Sequence, residues 1–178
     1  MEDISKVKEL ESENHTSTVK LRTFVDKELR EQINLGHYIV TEVRPIIVSP
    51  LGAIQKESGE VRLIHDASRP MGEVLNDYST LNSVQYQTLE DACTLAKPNT
   101  YLAKVDLKSA YRSVPISVKD YALTGIKWRF EGENQPKYMF DTRLLFGSRN
   151  GPNIFNRLTQ AVKRAMASGG YSNVVVFR

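Results

Sequence analysis

A long amphipathic helix near the C-terminus constrains the fold more than any other feature of this sequence. Gly151-Pro152 opens it, because proline suits the first helical turn, and Gly169-Gly170 ends it. One stripe on this helix is apolar: Ile154, Phe155, Leu158, Ala161, Val162, Ala165 and Met166. A helix with a single apolar stripe packs that face on a core, so the chain needs further elements to form one.

The middle of the chain supplies strand signals. The sequence predicts extended segments at residues 45–50 and 52–56, a turn at 57–60 and a strand at 61–65. Turn residues between two β-rich runs predict a hairpin. Further strands are predicted at 101–106, at 121–128 paired with 137–141, and from residue 174 to 177.

Two more helices complete the prediction. Apolar spacing predicts a helix from residue 21 to 33 that Gly36 ends, and a short helix at 89–96 that Pro98 ends. Residues 70–86 show no periodicity and are predicted to be irregular.

Composition excludes several classes of protein. The 178 residues are 40% hydrophobic, and no stretch approaches the roughly 20 apolar residues of a membrane span. The polar start lacks the features of a secretory signal, so we expect an intracellular protein of the cytoplasm or nucleus with no membrane contact. Cys93 is the only cysteine, which excludes a disulfide framework, and the three histidines are scattered.

Charge is distributed unevenly along the chain. The net charge of +3 hides an acidic start, and residues 1–16 are predicted to form a mobile acidic tail. From Tyr138 onward the sequence is basic, with Asp141 as its only acid. A basic surface favours a nucleic-acid partner through phosphate neutralisation, but an ordinary solvated helix face explains the same charges equally well.

Asp106 is the first candidate for chemistry. It follows directly on the predicted strand 101–106, where Asp is disfavoured. It could cap the turn that follows, or it could bind a hard cation such as Mg²⁺, which proteins hold through one or two carboxylates plus substrate phosphates.

Other candidates also have two interpretations. Tyr111 could pack under the sheet or face a nucleotide and exclude a ribose 2′-hydroxyl. Lys56 and Arg62 flank the hairpin turn, where they could be solvated or could bind triphosphate oxygens. The loop 144–152 precedes the long helix, whose N-terminal amides can accept an anion, and its glycines alone are weak evidence.

In this order, the motifs resemble the fingers and palm of a reverse transcriptase. The first is Pro50-Leu-Gly-Ala-Ile-Gln-Lys with Val61-Arg-Leu-Ile-His-Asp-Ala-Ser, and the second runs from Tyr101 through Val-Asp-Leu-Lys-Ser-Ala-Tyr to Ile116. The third is Asp141-Thr-Arg-Leu-Leu-Phe-Gly followed by Gly-Pro-Asn-Ile-Phe-Asn-Arg. The amino-acid sequence of residues 50–78 is also similar to that of retrotransposons of the tyrosine-recombinase (DIRS) type.

The resemblance implies a role for each matching residue. Asp106 would be the first catalytic metal ligand, and the Leu107 carbonyl would lie beside the second Mg²⁺. Tyr111 would be the gate against ribonucleotides. Residues Lys56 and Arg62 would bind the triphosphate, while Phe146 and Gly147 would line the nucleotide pocket. The implied partners are a primer on an RNA or DNA template and deoxynucleoside triphosphates; no protein partner is implied.

It also implies a fold and a division of the chain. The expected fold is α+β, with right-hand polymerase fingers and a partial palm in which an antiparallel sheet packs on helices. The fingers would comprise 17–98 and 115–150, and the palm 99–114 and 151–178.

Two departures from the family pattern stand out. Leu145 replaces the usual proline, and the aromatic-x-Asp-Asp turn is missing, with Phe177 and Arg178 at its first two positions. No Asp-Asp pair occurs elsewhere, although two-metal chemistry needs carboxylates on both sides of the metal pair. We therefore expect a truncated polymerase fragment that is inactive or nearly so, a non-catalytic nucleic-acid binder, or a fragment that does not fold stably.

Overall fold

A five-stranded sheet is the centre of the computed structural model, which describes residues 7–69, 74–79, 83–99, 101–107, 109–171 and 173–176. Its strands are β1 (Leu10–Glu11), β2 (Tyr38–Thr41), β3 (Ile47–Val48), β6 (Gly125–Trp128) and β7 (Lys137–Asp141). A separate hairpin consists of β4 (Leu51–Gln55) and β5 (Val61–His65). The helices are α1 (Thr16–Lys20), α2 (Arg22–Asn34), α3 (Leu89–Leu95) and α4 (Gly151–Ser168), with 3-10 turns at Ala110–Ser113 and Val118–Leu123.

The α+β class is confirmed, but the sheet is mixed where an antiparallel one was expected. Its order is β1-β3-β6-β7-β2. The pairs β6–β7 and β7–β2 are antiparallel, whereas β1–β3 and β3–β6 are parallel. Parallel neighbours need a long crossover connection, and α1 with α2 provides one between β1 and β3.

Two apolar clusters hold these elements together. The first joins α2 to the sheet and hairpin through Val25, Leu29, Tyr38, Leu51, Ala53, Ile126, Trp128, Phe130 and Met139. The second lies below the loop before α4 and contains Ile47, Ala67, Leu75, Leu123 and Leu145. Leu145, at the usual position of proline, therefore serves as a core side chain that is 3% exposed.

The hairpin and the helices confirm the sequence predictions. In the hairpin, Gln55 lies opposite Val61, and Gly59 takes φ +85° in the turn between them. Helix α2 ends before Gly36, which takes φ +69°, a conformation that glycine adopts without a side-chain clash. Helix α3 begins with a capping box formed by Thr88 and Asp91.

The strands predicted at 101–106 and from residue 174 are absent. Residues 101–107 are exposed, and within the described chain no backbone hydrogen bond joins them to another segment. An extended segment becomes a strand only when a neighbour pairs with its backbone groups, so apolar composition alone was insufficient here. Residues 174–176 likewise form no strand, and 177–178 lie outside the described residues, as do 70–73 and 80–82 of the predicted irregular stretch.

Apolar side chains are exposed on α4 and on the segment 101–107. On α4, Ile154, Leu158, Val162 and Met166 are 36–48% exposed. The residues Tyr101, Leu102 and Val105 are more than 80% exposed. Among the described helices, none is long and apolar enough to cross a membrane.

The N-terminal segment packs on the sheet from residue 7 onward, where a mobile tail was expected through residue 16. Strand β1 pairs with β3, and the side chain of Asn14 donates to the Lys127 carbonyl and accepts from the Leu51 amide. Glu11 contacts the Lys127 ammonium and the Arg44 guanidinium. The acidic side chains therefore neutralise basic ones on neighbouring elements; residues 1–6 lie outside the described residues.

The Glu11 contacts make stability depend on pH. The hydrogen bond from Lys127 is the largest cause that lowers the pKa of Glu11 from 4.5 to about 2. A lowered pKa means that the carboxylate stabilises the fold fully above about pH 4.5, and that this contribution is lost as the pH falls toward about 2.

We therefore expect Glu11→Gln to lower the free energy of unfolding by about 1–2 kcal/mol at neutral pH, since partial exposure screens the pair. Urea unfolding across the acid range measures the difference between the variant and the wild type, which should shrink between pH 4.5 and about 2. The control is Glu9→Gln, whose side chain is 76% exposed and pairs with Arg44, and it should change stability by less than about 0.5 kcal/mol. A difference that stays constant down to the lowest pH would contradict the assignment.

Candidate functional site

Three aromatic rings stack where α4 begins. The Tyr111 ring lies between Phe146, at a centroid distance of 4.8 Å, and Phe155, at 5.2 Å. The Arg62 guanidinium lies over the outer face of this stack, 5.8 Å from the Phe146 centroid. We call Arg62, Phe146, Tyr111 and Phe155 the aromatic stack. Three of the residues assigned to nucleotide binding from the sequence thus come together from three separate segments.

Each member is carried by a different local structure. Arg62 lies on β5 and is exposed; Phe146 lies in the loop before α4 and is 63% exposed. Tyr111 lies in the 3-10 turn Ala110–Ser113, which begins after Ser109 in a left-handed conformation (φ +53°). Tyr111 therefore packs against two other rings, as the first of its two interpretations predicted.

Two glycines allow the close packing around the stack. A Cβ atom on Gly151 would lie 2.9 Å from Cε1 of Tyr111 and 2.8 Å from Oγ of Ser148. A Cβ atom on Gly147 would lie 3.1 Å from the carbonyl oxygen of His65 at the end of β5. Glycine at these positions brings the loop and the start of α4 against the hairpin and the Tyr111 ring.

Lys56 lies apart from the aromatic stack in this structure. Its ammonium is 2.6 Å from Oε2 of Glu60 across the exposed hairpin turn. The hydrogen bond from Lys56 lowers the pKa of Glu60. An exposed pair of this kind is weak, so Lys56 can exchange Glu60 for another anion at little cost.

Asp106 and Leu107 lie in the exposed segment 101–107, and Leu107 is 49% exposed. Among the described residues, no hydrogen bond or ion pair joins Asp106 to a member of the aromatic stack. No group of three or more His, Cys, Asp or Glu in the described chain could hold a metal ion. The structure therefore brings together Arg62, Tyr111, Phe146 and Gly147, but it joins neither Asp106 nor Lys56 to them by a direct contact.

A buried ion pair beside the aromatic stack was not predicted from the sequence. Nη1 of Arg112 donates to both carboxylate oxygens of Asp141, at 2.7 and 2.6 Å. The Asp141 side chain is fully buried, and that of Arg112 is 17% exposed. The Arg143 amide also donates to Oδ1 of Asp141, at 2.9 Å. The sequence signal that could have found this pair is Asp141 itself, the single acid in a basic stretch at the end of a predicted strand.

Further groups surround this ion pair. The Gln32 amide oxygen accepts from Nη2 of Arg112 at 3.3 Å and contacts Nδ1 of His37 at 2.7 Å. Burial, and then the positive charge of Arg112, lowers the pKa of His37. Burial, and then the charge of Asp141, raises the pKa of Tyr38 well above its usual value. The network therefore joins α2, β2, β7 and the 3-10 turn that carries Tyr111.

We expect Arg112→Met and Asp141→Leu each to lower the free energy of unfolding by about 3–5 kcal/mol, because each leaves a buried charge without its partner. The double variant should cost less than the sum of the two, since it removes both charges, and urea unfolding of all four proteins measures this coupling. The matched control is the exposed pair, where Lys56→Met should cost less than about 1 kcal/mol. Additive losses at Arg112 and Asp141 would show that the pair is not coupled.

One family model matches this chain. The family model described as reverse transcriptase (RNA-dependent DNA polymerase) matches residues 54–177. A comparison with curated protein sequences gives no match.

Solved structures of foamy virus proteins share this fold. The foamy viral protease-reverse transcriptase in complex with an RNA/DNA hybrid is 19% identical, with a TM-score of 0.68 over 96% of this chain and 20% of that one. The native protease-reverse transcriptase of Prototype Foamy Virus is 20% identical, with a TM-score of 0.65 over 98% of this chain and 21% of that one. The chain thus spans about a fifth of the length of these structures.

Proposed function

The chain belongs to the reverse transcriptase (RNA-dependent DNA polymerase) family, and from this premise we propose that it forms the fingers and part of the palm of an enzyme that extends a primer on an RNA or DNA template. The fingers comprise 17–98 and 115–150, and the palm 99–114 and 151–178. The convergence of Arg62, Phe146 and Tyr111 is the observation that carries this proposal. It supports a site that binds a nucleotide with a cation on one side and aromatic rings on the other.

Different residues of the site bind different parts of a deoxynucleoside triphosphate. Arg62 presents a planar fork of donors to phosphate oxygens, and Lys56 adds a mobile positive charge at the hairpin turn. Phe146 and the backbone at Gly147 form the wall next to Arg62. Tyr111 is the gate that occupies the space of a ribose 2′-hydroxyl. Its ring is held on both faces, by Phe146 and Phe155, which supports a rigid gate.

Asp106 and the Leu107 carbonyl are the oxygen donors that would hold Mg²⁺. Hard oxygen ligands suit this cation, and one carboxylate completed by substrate phosphates is a common arrangement, so the donor set fits. Bound there, Mg²⁺ would neutralise charge on the triphosphate. The exposed backbone of 101–107 leaves Asp106 accessible for that role.

We also propose that the 178 residues alone add nucleotides slowly or not at all. Two-metal phosphoryl transfer needs carboxylates on both sides of the metal pair, and the sequence contains no Asp-Asp pair. We also propose that the chain originates from a tyrosine-recombinase retrotransposon, and the amino-acid sequence of residues 50–78 supports this origin.

The first test is binding of Mg²⁺ with a fluorescent deoxynucleoside triphosphate to the chain on primer and template. Arg62→Gln should weaken binding about 10-fold or more, because charge-assisted hydrogen bonds to phosphate are lost. Arg129→Gln is the control: Arg129 is also exposed and directly follows β6, and no described contact joins it to the aromatic stack, so affinity should not change. Equal losses in both variants would indicate a general charge effect and contradict a site at Arg62.

Tyr111 allows a second test, in which ribonucleotides compete with deoxynucleotides for the chain. Tyr111→Ala should reduce the preference for deoxynucleotides about 10-fold or more, since it opens space for the 2′-hydroxyl. Tyr111→Phe keeps the ring and should keep the preference. An unchanged preference in Tyr111→Ala would contradict the gate.

A non-catalytic nucleic-acid binder is the second candidate, and the exposed setting of Asp106 favours it. Primer extension distinguishes the two when the chain is continued through an added aromatic-x-Asp-Asp strand and thumb. Incorporation that Asp106→Asn abolishes supports the polymerase. Salt-dependent binding of primer and template without incorporation, unchanged by Asp106→Asn, supports the binder.

A further inference from the structure

Asn76 is a buried side chain that bridges two loops beside the aromatic stack. It is 6% exposed. Its Nδ2 donates to the Gly147 carbonyl and to Oγ of Ser68, both at 2.8 Å. Its Oδ1 accepts from the Arg149 amide at 2.6 Å. One amide group thus holds the backbone on both sides of Ser148, immediately after Phe146.

The chemistry of these contacts selects asparagine. Both amide hydrogens and the oxygen form hydrogen bonds. The side chain donates to one backbone carbonyl and accepts from one backbone amide of the segment 147–149, as the backbone of a paired strand would. Aspartate has the same shape but cannot donate to the Gly147 carbonyl, and leucine has neither donor nor acceptor. Each replacement would remove at least one of the hydrogen bonds that Asn76 makes to the backbone of Gly147 and Arg149.

Asn76 is itself held firmly in place. Val74 and Leu75, on the same turn, are 2% and 6% exposed, and Leu75 packs in the cluster that contains Leu145. The Asn76 amide donates to the Ala67 carbonyl at 3.3 Å, and Oδ2 of Asp77 accepts from the Val74 amide at 3.1 Å. Apolar packing and local hydrogen bonds therefore make the turn 74–79 a fixed support for the loop.

We propose that Asn76 is a positioning residue, which fixes the backbone from Gly147 to Arg149 and thereby holds Phe146 against Tyr111 and Arg62. Phe146 needs such support because its ring is 63% exposed and gains little from burial. The effect on nucleotide affinity rests on the proposed function; the effect on the loop does not.

The test compares Asn76→Leu, Asn76→Asp and the control Ser68→Ala in the full chain. Ser68 contacts Asn76 but not the 147–149 backbone in these hydrogen bonds, so its loss leaves both loop contacts in place. The measurements are hydrogen exchange of the Arg149 amide, the nuclear Overhauser effect between the Phe146 and Tyr111 rings, and the affinity for Mg²⁺-dGTP. Exchange of amides in β6 and β7 monitors the fold itself.

In Asn76→Leu, the amide of Arg149 should exchange about 10-fold faster or more than in the wild type, while the exchange rates of amides in β6 and β7 stay the same. The contact between the Phe146 and Tyr111 rings should weaken. Asn76→Asp keeps the acceptor for Arg149 but loses both donors, so its ring contact should weaken with a smaller change in exchange. It also serves as the second variant if Asn76→Leu does not fold. Ser68→Ala should stay within about twofold of the wild type in every measurement.

Affinity for Mg²⁺-dGTP should fall about 10-fold or more in Asn76→Leu. If the wild type binds no dGTP, the proposed function fails, while the exchange and the ring contact still decide the positioning role. Unchanged Arg149 exchange and an intact ring contact in both Asn76 variants would overturn the proposal. A loosened loop with a weakened ring contact and unchanged dGTP affinity would confirm that Asn76 positions Phe146 and overturn the link from Phe146 to nucleotide binding.

Discussion

The buried ion pair between Arg112 and Asp141 is the interaction on which the geometry of the site depends. Removing two charges from water is costly. Their close contact, the hydrogen bond that Gln32 accepts from Arg112 and the one that the Arg143 amide donates to Asp141 offset that cost. The pair joins the end of β7 to the 3-10 turn of Tyr111 across 29 residues of sequence. A shift of that turn would leave a buried charge without its partner, which favours the observed position of Tyr111.

The loop before α4 is held by a different kind of contact. Where charge fixes the turn of Tyr111, the neutral amide of Asn76 fixes the backbone after Phe146. The rings of Tyr111 and Phe146, one on each supported segment, stack on each other. Phe146, which is 63% exposed, thus obtains its order from a buried neighbour of its own loop.

Local patterns allowed the hairpin 51–65 and the helix Gly151–Ser168 to be predicted, because their turn residues and periodicity act within a few neighbours. Local patterns could not show whether residues 101–106 form a strand, since strand formation depends on pairing with a partner elsewhere in the chain. The contact between Arg112 and Asp141 and the short strand Tyr38–Thr41 were not predicted for the same reason. Of the candidate site, the motif order identified the stack residues Arg62, Tyr111 and Phe146, whereas the supports behind them came only from the tertiary structure.

The contact between Gly151 and Tyr111 restricts how this region can evolve. Any side chain at the first position of the helix would occupy the volume of the tyrosine ring, so the two positions are sterically interlocked. A larger residue at 151 becomes tolerable only after Tyr111 has become smaller and the Ser148 hydroxyl has moved, because a Cβ atom would lie less than 3 Å from each. Substitution at the start of the helix therefore has to follow substitution at Tyr111, which fixes the order in which the two positions can diverge.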